Sequence, residues 1–120
     1  MISVKEIVEK LHLETVSSGH SLDRPVAGGY ASDLLSCVMK GAKKDDVWIT
    51  LQSHVNVVAV ASLIGLAAVI MTEGNRPDQE TLNRAQTEGV ILLLTPRTTY
   101  SVVGDLSALG IKGNPDQRNS

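Results

Sequence analysis

The stretch VWITLQSHVNVVAVASLIGLAAVIMT, residues 47–72, contains no formally charged residue and gives the clearest indication of the fold class. Within it, residues 57–71 are apolar apart from Ser62 and Gly65. A membrane-spanning helix needs about 20 predominantly apolar residues, and here polar residues precede the apolar run and Gly65 interrupts it. Strands that are covered on both faces of a sheet also read as continuous apolar runs. The stretch therefore predicts a strand, a buried helix and a second strand, at residues 47–51, 56–66 and 68–72.

On both sides of this stretch, short apolar runs alternate with helical patterns. Ser3 and Glu6 have the spacing of a capping box, which predicts a helix at 4–11. Asp33 is expected to cap a second helix that Gly41 ends. The other predicted elements are strands at 13–17 and 90–94, an extended piece at 25–30, and helices at 78–88 and 99–109.

Strand–helix alternation at this spacing indicates βα units and a parallel sheet. The predicted fold class is therefore α/β, a single three-layer-type domain with a mainly parallel sheet. A length of 120 residues fits one such domain. We expect the folded domain to cover residues 1–111, and residues 112–120, which are polar and contain Gly113 and Pro115, to form a flexible tail.

Composition and charge exclude several classes of function. A net charge of −2 and an aromatic content of 2% argue against binding of nucleic acid. The charged N-terminal segment is unlike a secretory signal, and the single cysteine, Cys37, favours a cytoplasmic protein in which this residue is a small buried apolar group. The three histidines, His12, His20 and His54, are far apart and no cysteine cluster accompanies them, so neither a metal site nor a cofactor is predicted.

The candidate ligand site follows from the predicted sheet. In open parallel sheets, ligands bind beyond the carboxyl ends of the strands, and polar residues follow three of the predicted strands here. Helix N-termini with hydroxyls and arginines nearby would suit an anion such as phosphate or carboxylate. These candidate ligand-binding residues are Gln52, Ser53, His54 and Asn56 after the first strand, Arg76 after the second, and Thr95, Arg97 and Thr98 after the third.

Each of these residues also has a purely structural interpretation. Ser53, Asn56 and Thr98 have the residue types and positions of helix caps. Arg76 follows a Glu-Gly-Asn sequence that is typical of a turn, where its charge would be solvated. His54 has no carboxylate near it in sequence to orient it, which favours a hydrogen-bonded structural histidine over a general base.

A second candidate site is the stretch SLDRPVAGGYASDLL, residues 21–35. Asp23 and Arg24 are followed by Gly28 and Gly29, but no Lys-Ser/Thr pair follows these glycines, so the stretch is not a phosphate-binding loop. The two glycines would provide a positive φ or a close backbone approach, with Asp23 and Arg24 paired locally. Alternatively, these four residues would join the strand-end loops in one ligand site.

The segment LDRPVAGGYASDLL, followed by DVWITLQSH and NVVAVASL, resembles the small DRTGG-domain proteins over residues 1–111. Similar domains occur alone, in phosphotransacetylases and in CBS-domain pyrophosphatases, and the N-terminal domain of HPr kinase/phosphorylase is similar. Asp23, Arg24, Gly28 and Gly29 fall on the name-giving motif, which is stretched here by three residues and lacks its Thr. The resemblance implies a regulatory or oligomer-forming module attached to phosphate and nucleotide metabolism.

These observations favour a non-enzymatic regulatory or ligand-sensing module that binds a nucleotide or another small anion at the strand ends. No P-loop, catalytic triad or metal motif is found in the sequence. We expect a homodimer, with the weakly charged stretch 47–72 as its face, and neither nucleic acid nor membrane as a partner. The alternatives are a pure protein-interaction scaffold and a small phosphoryl-transfer enzyme that uses His54 or Arg97.

Overall fold

A five-stranded sheet with helices on both faces forms the fold, as given by a computed structural model that describes residues 1–17 and 22–114. The strands are β1 (Glu14–Ser17), β2 (Gly28–Ala31), β3 (Asp46–Thr50), β4 (Ala68–Met71) and β5 (Leu92–Leu94). The helices are α1 (Val4–Leu11), α2 (Leu35–Gly41), α3 (Val55–Ile64), α4 (Gln79–Glu88) and α5 (Thr99–Ala108).

The order of the strands across the sheet is β1-β5-β4-β3-β2. The four strands from β2 to β5 run parallel, whereas β1 pairs antiparallel with β5 at one edge. The βα units that the sequence predicts are therefore present, and the α/β class with a mainly parallel sheet is confirmed. Because parallel strands share one direction, the loops that follow them gather at one end of the sheet, which we call the carboxyl edge.

Two apolar cores lie on the two faces of the sheet, which makes the domain three-layered. Along β3, Val47 and Ile49 point into the core below α1 and α5, and Trp48 points into the core below α2, α3 and α4. The indole N–H of Trp48 donates to the carbonyl of Ser32 at 2.8 Å, which satisfies its polar atom inside the core. Each large apolar side chain buried in this way stabilises the fold by about 1.5–3 kcal/mol.

The uncharged stretch 47–72 forms the interior of the protein. All residues of β3 and β4 are buried, and α3 lies against both α2 and α4. Most apolar side chains of this stretch pack in the core, and Leu51 and Leu63 are the large ones that remain exposed. A dimer face formed by this stretch is therefore limited to the surroundings of these two leucines, and the homodimer stays a prediction. Among the described residues, no helix is long and apolar enough to cross a membrane.

Two expectations about α2 are wrong. Asp33 does not cap this helix, because its carboxylate instead accepts hydrogen bonds from the hydroxyl of Thr50 and the N–H of Leu51 at the end of β3. Cys37 is exposed, since α2 lies at the β2 edge of the sheet and buries only Val38 fully.

The first residues of the predicted tail are packed against the sheet. The carbonyl of Lys112 accepts the N–H of Gly29 at 2.9 Å, and Ile111 belongs to the core below α5. Residues 115–120 of the predicted tail lie outside the described residues, so its flexibility stays a prediction.

Candidate functional site

The residues predicted to bind a ligand lie at two opposite ends of the sheet. Gly28 pairs with Asp46 at the start of two parallel strands. The glycine motif therefore lies at the end of the sheet opposite the carboxyl edge, which we call the amino edge. The loops after β3, β4 and β5 lie at the carboxyl edge. A single site that joins the motif with these loops is therefore wrong, because the motif begins β2 rather than follows it.

Arg24 is a structural brace at the amino edge. Its guanidinium donates to the carboxylate of Asp45 at 3.0 Å and to the carbonyl of Gly65 at 2.7 Å. Asp45 has a φ of 69° in the turn before β3, and Gly65 ends α3. Arg24 therefore joins the turn before one strand to the turn before the next, while Asp23 lies exposed beside it.

The two glycines of the motif provide a close backbone approach and not a positive φ. A Cβ atom on Gly28 would lie 2.8 Å from the carbonyl oxygen of Lys112, a distance that no side chain tolerates. Gly29 donates its N–H to the same carbonyl at 2.9 Å. Residues 111–114, which we call the strap, thus pack against the two motif glycines.

Asp46 holds the end of the strap. One of its carboxylate oxygens, Oδ2, accepts the side-chain amide of Asn114 at 3.0 Å and the N–H of Lys43 at 2.8 Å. The other, Oδ1, is buried without a hydrogen-bond partner among the described residues. Asp46 is only 1% exposed, so its carboxylate belongs to the packed interior at this edge.

At the carboxyl edge, one group of predicted residues surrounds the start of α3. The cap of this helix is His54, whose Nδ1 accepts the N–H of Asn56 at 3.1 Å, and neither Ser53 nor Asn56 takes that role. Gln52, His54 and Asn56 line a cavity of about 230 Å³ beside Leu35. With its Nδ1 engaged in capping, His54 is held in place by the helix that it starts.

A larger cavity, of about 430 Å³, lies where β4 and β5 end next to β1. Arg76 and Thr95 line it, as do Asn75, His12 and Glu14. The volume is in the range of small-molecule sites. Among the described residues this is the place where the predicted ligand residues come closest to forming a pocket with a cation.

Arg76 is paired across this cavity with Glu14 of β1. Two guanidinium nitrogens donate to the two carboxylate oxygens at 3.0 and 2.9 Å. This hydrogen bonding from Arg76 lowers the pKa of Glu14 below its ordinary value and, in return, raises the pKa of Arg76. The sequence does not indicate this pair, because its members are 62 residues apart and meet only through the antiparallel edge strand.

A carboxylate also occupies the start of α5, where an anion was predicted. The side chain of Glu73 accepts the N–H of Thr99 at 2.9 Å, and Thr98 caps the helix by accepting the N–H of Ser101 at 3.2 Å. Arg97 pairs with Asp105 one turn further along α5. Arg76, Arg97 and the N-terminus of α5 are thus each matched by a carboxylate of the chain itself. The two ion pairs are exposed, and salt weakens pairs of this kind.

Metal-binding side chains do not cluster in the part of the chain that the structure describes. Within residues 1–17 and 22–114, no group of three histidine, cysteine, aspartate or glutamate residues is arranged to hold a metal ion. The polar groups at the carboxyl edge donate or accept hydrogen bonds in caps and ion pairs. Arg76, Asn75 and Thr95 thus present hydrogen-bonding groups to the cavity of about 430 Å³.

Comparison with known proteins identifies the fold. The sequence profile of the DRTGG domain matches residues 6–109, whereas a comparison with curated proteins gives no match. Among the solved structures that match is the regulatory region of Clostridium perfringens pyrophosphatase, which contains CBS and DRTGG domains and is complexed with its activator, diadenosine tetraphosphate.

This match has a TM-score of 0.70 and 15% sequence identity, and it covers 85% of this chain and 44% of that one. At such low identity the likeness shows the shared fold, and the chain spans less than half of the protein that it matches. The profile match is the stronger result, because it extends over residues 6–109 of a chain of 120. The chain belongs to the DRTGG-domain family.

Proposed function

We propose that this protein is a non-enzymatic regulatory module that senses a nucleotide or another small phosphorylated anion at the carboxyl edge. The observation that carries the proposal is the cavity of about 430 Å³ in which Arg76 lies beside Asn75 and Thr95. Arginine recognises phosphate and carboxylate groups through two parallel hydrogen bonds. Arg76 already makes such a bidentate contact with Glu14, which also lines the cavity. Its guanidinium is therefore oriented to bind an anion in the place of the Glu14 carboxylate.

The pairing of Arg76 with Glu14 is compatible with ligand binding. Both side chains are more than half exposed, at 63% and 53%, and exposed ion pairs contribute little to stability. A phosphate carries more charge than a carboxylate and offers more acceptor oxygens. A phosphate would therefore replace Glu14 at Arg76 with little loss of stability. Glu14 would then be released from Arg76, and the contacts of the edge strand β1 would change.

The comparison supports this proposal at the level of family. The pyrophosphatase region of the same fold is regulatory and is complexed with a dinucleotide activator. We propose by analogy that a nucleotide is the first ligand to test.

The absence of enzymatic activity is proposed because His54 is engaged in capping α3. Exposed Cys37 suits a reducing compartment, and we propose a cytoplasmic location.

A thermal-shift titration tests the ligand. ATP, AMP, diadenosine tetraphosphate and inorganic phosphate are added to the protein, and a ligand at about 100 times its Kd stabilises by about 2.7 kcal/mol. We expect Arg76→Ala to abolish the shift. Arg84→Ala is the matched control, because Arg84 is an exposed arginine that pairs with Glu88 on α4 and lies outside the cavity. If none of the four compounds raises the midpoint, or if both variants respond like the parent protein, the proposal is wrong.

A second candidate function, a self-association module, is favoured by apolar side chains at the β2–β3 corner of the carboxyl edge. Leu34 is 62% exposed and Leu51 is 39% exposed. Asp33 holds their two loops together through its hydrogen bond with the N–H of Leu51. We propose that these leucines contact a second copy of the chain in a homodimer.

A further inference from the structure

A separate apolar groove lies at the other edge of the sheet from Arg76. It is formed between α5 and the edge strand β2, and its volume is about 350 Å³. Ile49, Val103 and Leu106 form its apolar walls, and the strap closes one side with Ile111 and Lys112. Neither Arg76 nor Glu14 lines this groove, so it is independent of the function proposed above.

The motif glycine Gly29 borders the groove and the strap. A Cβ atom on this residue would lie 3.5 Å from the side chain of Ile111 and 3.7 Å from that of Val47. These are ordinary contact distances, so the strap lies in van der Waals reach of β2 at this position. The strap is bound to β2 by the hydrogen bond from the N–H of Gly29 to the carbonyl of Lys112. In this position the strap forms the second wall of the groove.

Among the described residues that line the groove, Lys112 is the charged one. The side chain of Lys112 is exposed and forms no ion pair with another described residue. Ser32 donates its N–H to β3, and Gly29 donates outward to the strap. Because backbone groups alternate in direction along a strand, the N–H and the carbonyl of Ala31 both point out of the sheet edge. An apolar cavity with an ammonium and an amide at its mouth is complementary to a molecule with one apolar and one anionic end.

We propose that this groove binds a small aliphatic carboxylate. The hydrocarbon part of the ligand lies between Val103 and Leu106 of α5 and Ile49 of β3, and its carboxylate faces Lys112 and the N–H of Ala31. Binding in the groove requires the strap to be seated, since the strap forms one wall. The ligand therefore stabilises the position of the strap on the motif glycines.

The test is an NMR titration of the isotopically labelled protein with hexanoate. We expect saturable shifts of the Ala31, Val103 and Leu106 amides, nuclear Overhauser contacts from the hexanoate methyl group to Val103, and slower hydrogen exchange of the Gly29 amide. Hexylamine, which has the opposite charge, should bind at least several-fold more weakly. Lys112→Gln should weaken hexanoate binding about fivefold, the size of one exposed charge pair.

Bulky side chains on α5 localise the site. Val103→Trp and Ser107→Trp place an indole in the groove and should abolish the shifts, whereas Ala108→Trp, which adds the same ring on a neighbouring residue outside the groove, should leave them intact. Arg76→Ala should also leave them intact, which separates this site from the cavity at the carboxyl edge. The proposal is overturned if hexylamine binds as tightly as hexanoate, if no contact reaches Val103, or if either groove variant that folds binds hexanoate normally.

Discussion

Two neighbouring glycines of the motif have different physical reasons to be glycine. Gly28 faces the backbone carbonyl of Lys112 and the carboxylate of Asp46, at 2.8 and 3.1 Å from where a Cβ atom would lie. Gly29 faces only side-chain carbons at 3.5 Å or more, which is ordinary contact. Gly28 is therefore required by the strap, whereas Gly29 has room for a methyl group.

The variants Gly28→Ala and Gly29→Ala form a matched pair. We expect Gly28→Ala to lower the free energy of unfolding by about 1–3 kcal/mol, because the strap carbonyl is backbone and must move. Gly29→Ala should change it by less than about 1 kcal/mol, since alanine also reduces the entropy of the unfolded chain. Urea denaturation of the two variants measures both values. Equal losses in the two variants would show that the strap is not held against Gly28.

At the scale of elements, three helices that follow strands begin with a side-chain cap. The caps are His54 for α3, Asp78 for α4 and Thr98 for α5. Histidine is not among the preferred capping residues, which is why the sequence points to Ser53 or Asn56 in its place. Asp78 has a preferred residue type, and its carboxylate accepts both the N–H and the hydroxyl of Thr81, at 2.9 and 2.7 Å.

The capping of α4 makes stability depend on pH. Hydrogen bonds from the backbone and then the side chain of Thr81 lower the pKa of Asp78 below its ordinary value of 3.8. A depressed folded-state pKa gives stability that is present above the unfolded pKa and is lost as the pH falls through the folded pKa. Asp78→Asn keeps an acceptor oxygen but removes the titration.

We therefore expect the parent protein to lose stability relative to Asp78→Asn as the pH is lowered from about 5 to about 2. Urea denaturation of both proteins across this range measures the difference, and the other carboxylates cancel because both proteins share them. A difference that is constant with pH would contradict the assigned role of the carboxylate.

At the scale of the whole molecule, the sequence predicts what local pattern determines and misses what distant contacts determine. The buried strands β3 and β4 are readable because both faces are covered, and Gly89 ends α4 at the predicted position in the left-handed conformation typical of glycine. Gly65 has the same conformation, but α3 ends at Ile64 and not at residue 66 as predicted. The pairing of β1 with β5, the contact of Glu14 with Arg76 and the crossing of the strap over Gly28 join residues far apart in sequence. The candidate site was therefore predicted as a set of loops at one edge, but neither its pairing carboxylates nor its separation from the motif was predicted.

Two exposed leucines at one corner of the molecule, Leu34 and Leu51, predict that it forms a homodimer. Light scattering should give twice the chain mass of 12.8 kDa if Leu34 and Leu51 contact a second copy as proposed. Leu34→Asp should then yield the monomer, because an unpaired charge in an apolar contact is costly. Leu63→Asp is the control, since Leu63 is 72% exposed on α3, away from that corner. A monomeric parent protein would refute the dimer, and dissociation by Leu63→Asp alone would place the contact on α3.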